Sequence, residues 1–150
     1  MASIKTAFNT AGTATITLAS LANGSGRAST AIDNTSGLYI SADIRVKVKT
    51  SGTSATGYAS VYLIRSEDGT NYDDAWGGTD NTYVPVNAIL LGTILTPATA
   101  TYVKTFDTAE LGLTLPAKWA IGIVNSTGNA LTSTASDHSV TYREKYLTVA

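Results

Sequence analysis

Apolar and polar residues alternate without interruption from Leu38 to Lys49, in the segment LYISADIRVKVK. Every second residue is apolar, and most of the residues between them are charged or hydroxyl-bearing. A period of two puts the two sets on opposite faces of a β-strand, whereas helical spacing would scatter the apolar residues around the axis. The segment therefore predicts a long strand with one buried and one solvated face.

Shorter runs with the same character predict further strands over residues 13–18, 58–64, 88–95, 102–106, 119–124 and 139–149. The run 88–95 is continuously apolar, as in a strand at the centre of a sandwich. Clusters of Gly, Asn, Asp and Ser separate the runs and predict turns. About eight strands with regular turns predict an all-β fold, an antiparallel, jelly-roll-like β-sandwich. We expect residues 1–150 to form a single domain with a short N-terminal arm.

The alternation also predicts which side chains form the core between the two sheets. These are the inward-facing residues of three strands: Ile40, Ile44, Val46, Val61, Ile121 and Ile123.

Composition narrows the classes of function. Only 14% of the 150 residues are charged, below the ~25% typical of soluble domains, and the net charge of −1 offers no electrostatic attraction to nucleic acid or to an anionic membrane. The chain has no Cys, which excludes disulfides and thiolate metal sites. Neither a signal peptide nor a transmembrane helix is predicted, and we expect a protein that is made in the cytoplasm and stays there unless it leaves as part of an assembly.

Candidate chemistry is sparse. His138 is the only histidine and is predicted to lie on the surface, and no G-x-S-x-G motif accompanies it. Five of the eleven acidic residues gather in one loop, and the sequence shows no opposed pair of the kind that hydrolyses glycosides. The five are Glu67, Asp68, Asp73, Asp74 and Asp80. We therefore predict no catalytic residue, no metal and no cofactor. Calcium bound by Asp68, Asn71 and Asp73 stays an alternative, although their spacing is not that of an EF-hand.

The acidic loop also carries the aromatic residues that make it the most specialised stretch, SEDGTNYDDAWGGTDNTY. Trp76 either contacts a partner or folds back and fixes its own loop, and both interpretations stay open. Possible interface contacts are Trp76, Tyr72 and Tyr83 in the loop, and Phe8 in the polar N-terminal segment. The predicted contact regions are thus Glu67 to Tyr83 and Ala2 to Asn9.

Three segments taken in order resemble small virion structural proteins of tailed bacteriophages. They are Leu21 to Ser29 (LANGSGRAS), Tyr62 to Tyr72 (YLIRSEDGTNY) and Ser139 to Arg143 (SVTYR). Each is a turn or strand motif that is weak alone, whereas the ordered set spans nearly the whole chain.

The resemblance implies a non-enzymatic component of a phage virion. Within that class, the small size and the absence of a fibrous repeat favour a capsid decoration (cement) protein, acting as a homo-oligomer, a trimer, on the major capsid protein. A tail, baseplate or receptor-binding component is the alternative, and a carbohydrate-binding module is a second one.

Overall fold

The computed structural model describes residues 3–149, so Ala2, the first residue of the predicted contact segment, lies outside them. Eleven strands form the fold: β1 Ile4–Phe8, β2 Gly12–Ala14, β3 Gly26–Ala28, β4 Ile32–Asp33, β5 Ser41–Lys49, β6 Tyr58–Ser66, β7 Asn81–Thr82, β8 Ile89–Leu95, β9 Thr101–Asp107, β10 Lys118–Ser126 and β11 Ser139–Val149. Two 3₁₀ turns, Asp73–Ala75 and Ala135–Asp137, complete it. No helix among residues 3–149 is long and apolar enough to cross a membrane.

The strands form two antiparallel sheets, which confirms the predicted sandwich. In the first sheet β11 lies between β5 and the pair β1 and β2, and β9 follows β5 at the far edge. In the second sheet β10 lies between β6 and the strands β3 and β4, and β8 is next to β6. If β1 and β2, and likewise β3 and β4, count as interrupted single strands, each sheet has four positions apart from the two-residue β7. The chain crosses repeatedly between the sheets, as in a jelly roll.

The core between the sheets is built by the inward residues of the long strands. Five of the six predicted core residues are fully buried: Ile44, Val46, Val61, Ile121 and Ile123. Trp119 is buried beside them, with its ring edge-on to Tyr142 at 5.1 Å between centroids.

The sixth predicted core residue, Ile40, is 42% exposed, so that prediction is wrong. The strand begins at Ser41 instead of Leu38, because Leu38 adopts a left-handed φ of 48°. The Asn34 side chain fixes this detour: its amide donates to the Tyr39 carbonyl (3.0 Å) and its carbonyl accepts from the Tyr39 N–H (2.8 Å). Backbone groups held by an Asn side chain cannot join the ladder with β11.

Two other predicted strands differ from the observed ones. The run 13–18 forms a strand only as far as Ala14, although Leu18 is still buried. The run 88–95 forms the edge strand β8, not a central one, and only Leu91 and Ile94 of it are buried. A continuous apolar run therefore does not distinguish a central strand from an edge strand with only one buried face.

The core predicts a large cost for a cavity at the centre of β5. Replacing Ile44 by Ala should lower the free energy of unfolding by ~2–4 kcal/mol, because a fully buried side chain leaves a void that the sheets cannot close. Chemical denaturation measures the change. Ile40→Ala, at the exposed end of the same pattern, is the control and should cost less than about 1 kcal/mol. Equal losses would contradict the observed start of β5.

Candidate interaction surfaces

The loop between β6 and β8 folds back onto the outer face of the second sheet. There it forms a second, smaller apolar cluster of Ala28, Ile64, Trp76, Tyr83 and Ala120. Trp76 is 8% exposed and Tyr83 3%, and the Tyr72 ring stands edge-on to Trp76 at 5.1 Å. Trp76 and Tyr83 thus fix their own loop and are not exposed anchors. A contact role for the loop surface stays a prediction.

Asp74 holds this loop to the segment that follows it. Its carboxylate accepts from the Tyr83 hydroxyl (2.6 Å) and from the backbone N–H groups of Asn87 and Ala88. Burial opposes the charge, but these hydrogen bonds outweigh it and lower the pKa of Asp74. Burial and the neighbouring Asp74 raise the pKa of the Tyr83 hydroxyl, which therefore remains a donor. Asp74 and Ala75 both adopt left-handed φ values, 63° and 51°, and this polar network stabilises that backbone.

Three further carboxylates of the loop, those of Asp68, Asp73 and Asp80, are also engaged within the chain. One Asp68 oxygen accepts from the backbone N–H groups of Thr70 (2.8 Å) and Asn71 (2.7 Å), and these bonds lower its pKa. Asp73 and Asp80 pair with Arg65 (3.3 Å) and with Arg27 (2.6 Å). Among residues 3–149 no group of three or more acidic, His or Cys side chains could hold a metal ion. Asp68 thus closes the turn that contains Asn71, and Asp73 is held by Arg65. Calcium binding by Asp68, Asn71 and Asp73 stays an alternative prediction.

His138 is buried, not on the surface as predicted. Its Nδ1 is 3.4 Å from the Lys49 backbone N–H, and its Nε2 is 2.9 Å from the Thr132 carbonyl oxygen. An imidazole that accepts at Nδ1 and donates at Nε2 satisfies both contacts. His138 therefore joins the end of β5 to the segment before β11.

Beyond the loop, four large apolar side chains are exposed on the outer side of the second sheet. Val84 (71% exposed) and Val86 (76%) lie between Tyr83 and β8. Leu90 and Leu95 lie on β8 opposite Tyr62 and Tyr58, whose strand turns these positions outward. We call Val84, Val86, Leu90 and Leu95 the valine–leucine patch.

A second exposed apolar region lies at one end of the first sheet. β5 pairs with β11 only as far as Lys145, whereas β1 pairs with β11 from Lys145 to Val149. Residues 4–8 and 145–149 therefore form a two-stranded ribbon that extends past the sandwich. With the adjoining loop it carries seven of the fourteen exposed large apolar side chains of the described chain: Ile4, Phe8, Leu38, Ile40, Tyr146, Leu147 and Val149.

An ion triad anchors the base of this terminal ribbon. The Lys145 ammonium is 2.6 Å from carboxylate oxygens of both Asp43 and Asp107. Burial opposes the Lys145 charge, but hydrogen bonds to Asp107 and Asp43 outweigh it and raise its pKa. The Phe8 ring lies 5.0 Å from the Arg143 guanidinium carbon and 5.7 Å from the Lys145 ammonium. Cation–π contacts of this kind hold β1 to the outer face of β11.

On the inner face of the ribbon base, Glu144 is buried. Its Oε2 accepts from the Asn9 amide (3.1 Å) and its backbone carbonyl accepts from the Asn9 N–H (2.8 Å). Its Oε1 is buried without a hydrogen-bond partner among the described residues. Burial raises the pKa of Glu144 and the bond from Asn9 opposes the rise. The protonation state of the Glu144 carboxyl group thus affects the contact between β1 and β11.

Of the four predicted contact residues, the structure leaves Phe8 substantially exposed and Tyr72 half-buried, and it buries Trp76 and Tyr83. The Phe8 and Trp76 regions lie on different sheets and are not brought together. The sequence analysis missed the exposed valines of YVPV (83–86) and the exposed end of YLTV (146–149). Each segment contains two exposed apolar residues separated by one other residue, Val84 and Val86 in the first and Leu147 and Val149 in the second. Such a pair is a weaker sequence signal of a contact site than a lone Trp.

The second cluster predicts that Trp76 matters for stability. Trp76→Ala should lower the free energy of unfolding by about 3 kcal/mol, because a buried aromatic side chain is lost from the cluster. Trp76→Phe is the matched control. It keeps a six-membered aromatic ring and removes the pyrrole part of the indole, whose N–H has no partner among the described residues, so the loss should be smaller than for Trp76→Ala. An unchanged melting temperature for Trp76→Ala would contradict the burial of its ring.

The raised pKa of Glu144 predicts that the free energy of unfolding decreases as the pH rises. A carboxyl group whose folded pKa exceeds its unfolded value of about 4.5 stabilises the fold below that value and loses the contribution as pH rises through the folded pKa. Urea unfolding from pH 4 to pH 8 measures the slope, and Glu144→Gln should flatten it. Asp74 and Asp107, with lowered pKa values, act in the opposite direction below pH 4 and outside this window. Equal slopes for the two proteins would contradict the assignment.

No protein-family model and no curated protein sequence matches the chain. Among solved structures, it is similar to a chain of the X-ray structure of tomato aspermy virus, at 13% identity and a TM-score of 0.36. The match covers 96% of this chain and 76% of that one. A likeness of this size carries no functional argument.

Proposed function

We propose that the chain is a non-enzymatic structural protein of a phage virion, a capsid decoration (cement) protein that binds the outer surface of the head and stabilises it. The observation that carries the proposal is the presence of two separate exposed apolar regions on one rigid sandwich. One is the terminal ribbon at the end of the first sheet, and the other is the valine–leucine patch on the outer side of the second sheet.

Apolar side chains grouped in this way favour association. Scattered apolar residues are normal on a protein surface, whereas groups of them mark contact sites. Ile4 and Val149, opposite each other on the ribbon, are each 71% exposed, as much as Val84 in the patch. Two regions on different sheets allow one copy to bind a neighbouring copy and a particle at the same time.

The polar chemistry supports a structural role too. The carboxylates of Asp68, Asp74 and Asp80 are engaged by N–H, hydroxyl or guanidinium groups of the chain itself. Such groups hold a loop in one shape and leave few lone pairs for a substrate. A role in association through a fixed surface accounts for these engaged carboxylates without requiring that they take part in a chemical reaction.

The motifs that resemble virion proteins lie where they shape this surface. Arg27, in the first motif, pairs with Asp80 at the end of the acidic loop, and Gly26 accepts from the Tyr83 backbone N–H (3.0 Å). In the second motif, Asp68 and Gly69 close the turn that begins the loop, with Gly69 at a φ of 74°. The motif residues thus hold the chain next to the valine–leucine patch, which we assign to the major capsid protein. The terminal ribbon remains for contacts between copies in the proposed trimer.

The test is occupancy on purified particles. The double variant Val84→Ser, Val86→Ser should reduce the bound copies by about tenfold or more, because two apolar anchors become polar at the contact. Its melting temperature should not change, since both side chains are exposed. Val103→Ser is the matched control, an exposed valine opposite Lys47 on the first sheet, and should bind normally.

The same measurement separates the alternatives. Electron microscopy of particles carrying labelled protein should place it on heads. Label confined to tails would replace the decoration role by the tail or baseplate alternative. Protein that never sediments with particles, but binds an oligosaccharide, would contradict a virion role and favour the carbohydrate-binding module.

A further inference from the structure

The edges of the two sheets are protected in different ways. In β8 the ladder shifts register between Val61 and Tyr62, and Gly92 has a φ of 148°. Lys104 of β9 donates to the Thr93 carbonyl of β8 (2.9 Å), so these two edges lie against each other. Irregularities and lysines are common protections against the addition of another strand. The terminal ribbon has no proline and no register shift, and its only charge besides Lys145 is Lys5.

The hydrogen-bond pattern shows which backbone groups of the ribbon point outward. The Glu144 carbonyl accepts from Asn9, on the β1 side, and the Lys145 carbonyl accepts from Ile40, on the β5 side. Successive residues of an antiparallel strand point their N–H and C=O groups to opposite edges. The free edge of β11 therefore presents Leu147 and Val149. The register with β11 leaves Ile4, Thr6 and Phe8 on the free edge of β1.

A groove lies beside the end of β11, where β5 has ended its pairing at Ser41. It measures about 600 Å³ and is lined by Tyr146 and Leu147, by the loop residues Ser36 to Ile40, and by Asn9, so that its lining mixes apolar and polar groups. A depression of about 460 Å³ shares Leu38, Tyr39 and Ile40 and continues to Leu115 and Pro116. Among the described residues, Glu67 is the only charged one that lines either space.

We infer that β1 of a second copy of the chain adds to the free edge of β11 in this groove. Paired antiparallel to β11, the incoming strand places Ile4 and Phe8 on the face that carries the exposed Leu147 and Val149. Its one charge, Lys5, then lies on the opposite face, on the side of the groove that continues towards Glu67. A two-stranded ribbon is marginal in water, and a third strand supplies the missing main-chain partners. This deepens the proposed function, on which its role in a particle rests, by naming the surface through which copies join.

The two open edges of the ribbon are unlike, which fixes the type of contact. The β1 edge of one copy meets the β11 edge of the next, so each copy both gives and receives a strand. Such a head-to-tail contact generates a closed ring when the rotation between copies closes. The predicted trimer is one ring of this kind.

A proline at position 6 tests the contact directly. Thr6 points its N–H away from β11, so Thr6→Pro removes a donor that only a second chain uses and leaves the ladder inside the ribbon intact. Analytical ultracentrifugation over a range of concentrations should give an oligomer for the native chain and for Thr6→Ala. Thr6→Pro should self-associate about tenfold more weakly or worse, with an unchanged melting temperature.

A charge exchange keeps the test decisive if the proline disturbs folding. Lys5→Glu and Glu67→Lys should each weaken self-association, and the combined variant should restore it. Association of Thr6→Pro equal to that of Thr6→Ala, no rescue by the combined variant, or a native chain that is monomeric throughout would overturn the inference. A monomer that still occupies particles would leave the proposed function standing, whereas a strand-joined oligomer that never occupies them would remove only that function.

Discussion

Lys145 lies at the last position where β11 still pairs with β5, with its ammonium between Asp43 of β5 and Asp107 of β9. Burying a charge is unfavourable unless close partners satisfy it, so the three side chains must stay together. They tie three adjacent strands at the boundary of the sandwich, and Phe8 adds β1 to the same point. The core lies on one side of this boundary and the ribbon on the other. The triad therefore marks the point beyond which β11 has no sandwich around it.

The parts of the fold that follow from local patterns could be predicted from the sequence. Alternation identified the centre of β5 and the inward residues of β6 and β10, because a period of two has one structural meaning over a long run. It failed at Ile40, where nothing local marks the end of the strand. The Asn34 side chain, six residues earlier, removes Tyr39 from the ladder, and this competition is invisible to a pattern of apolar positions. The exposed ribbon is likewise not marked by the pattern, since β11 continues to Val149 after β5 has ended and its apolar residues Leu147 and Val149 lie on the face opposite to Val140 and Tyr142.

The aromatic loop shows why the candidate site was harder to predict. From the sequence alone, an isolated Trp in an acidic loop is equally consistent with a contact residue and with a residue that covers its own sheet. The difference is decided by the opposing strands, because a Cβ at Gly122 would clash with the Tyr83 ring and a Cβ at Gly26 would clash with the Tyr83 carbonyl oxygen. Small residues on the outer face of β3 and β10 make the room that the loop fills. The glycines at positions 26 and 122 are thus the sequence signal that accompanies the burial of Tyr83.

With the loop packed on the second sheet, the exposed apolar surface consists of two sites that differ in physical character. The valine–leucine patch presents side chains above a finished sheet, so a partner there gains by covering apolar area and needs no particular backbone. The ribbon presents unpaired N–H and C=O groups between apolar side chains, and these favour a strand over any other shape. In the proposed function, the first site contacts a particle surface and the second contacts another copy of the chain. The length of β11 beyond Lys145 would then separate these two contacts, because the strand carries its edge away from the face that the loop covers.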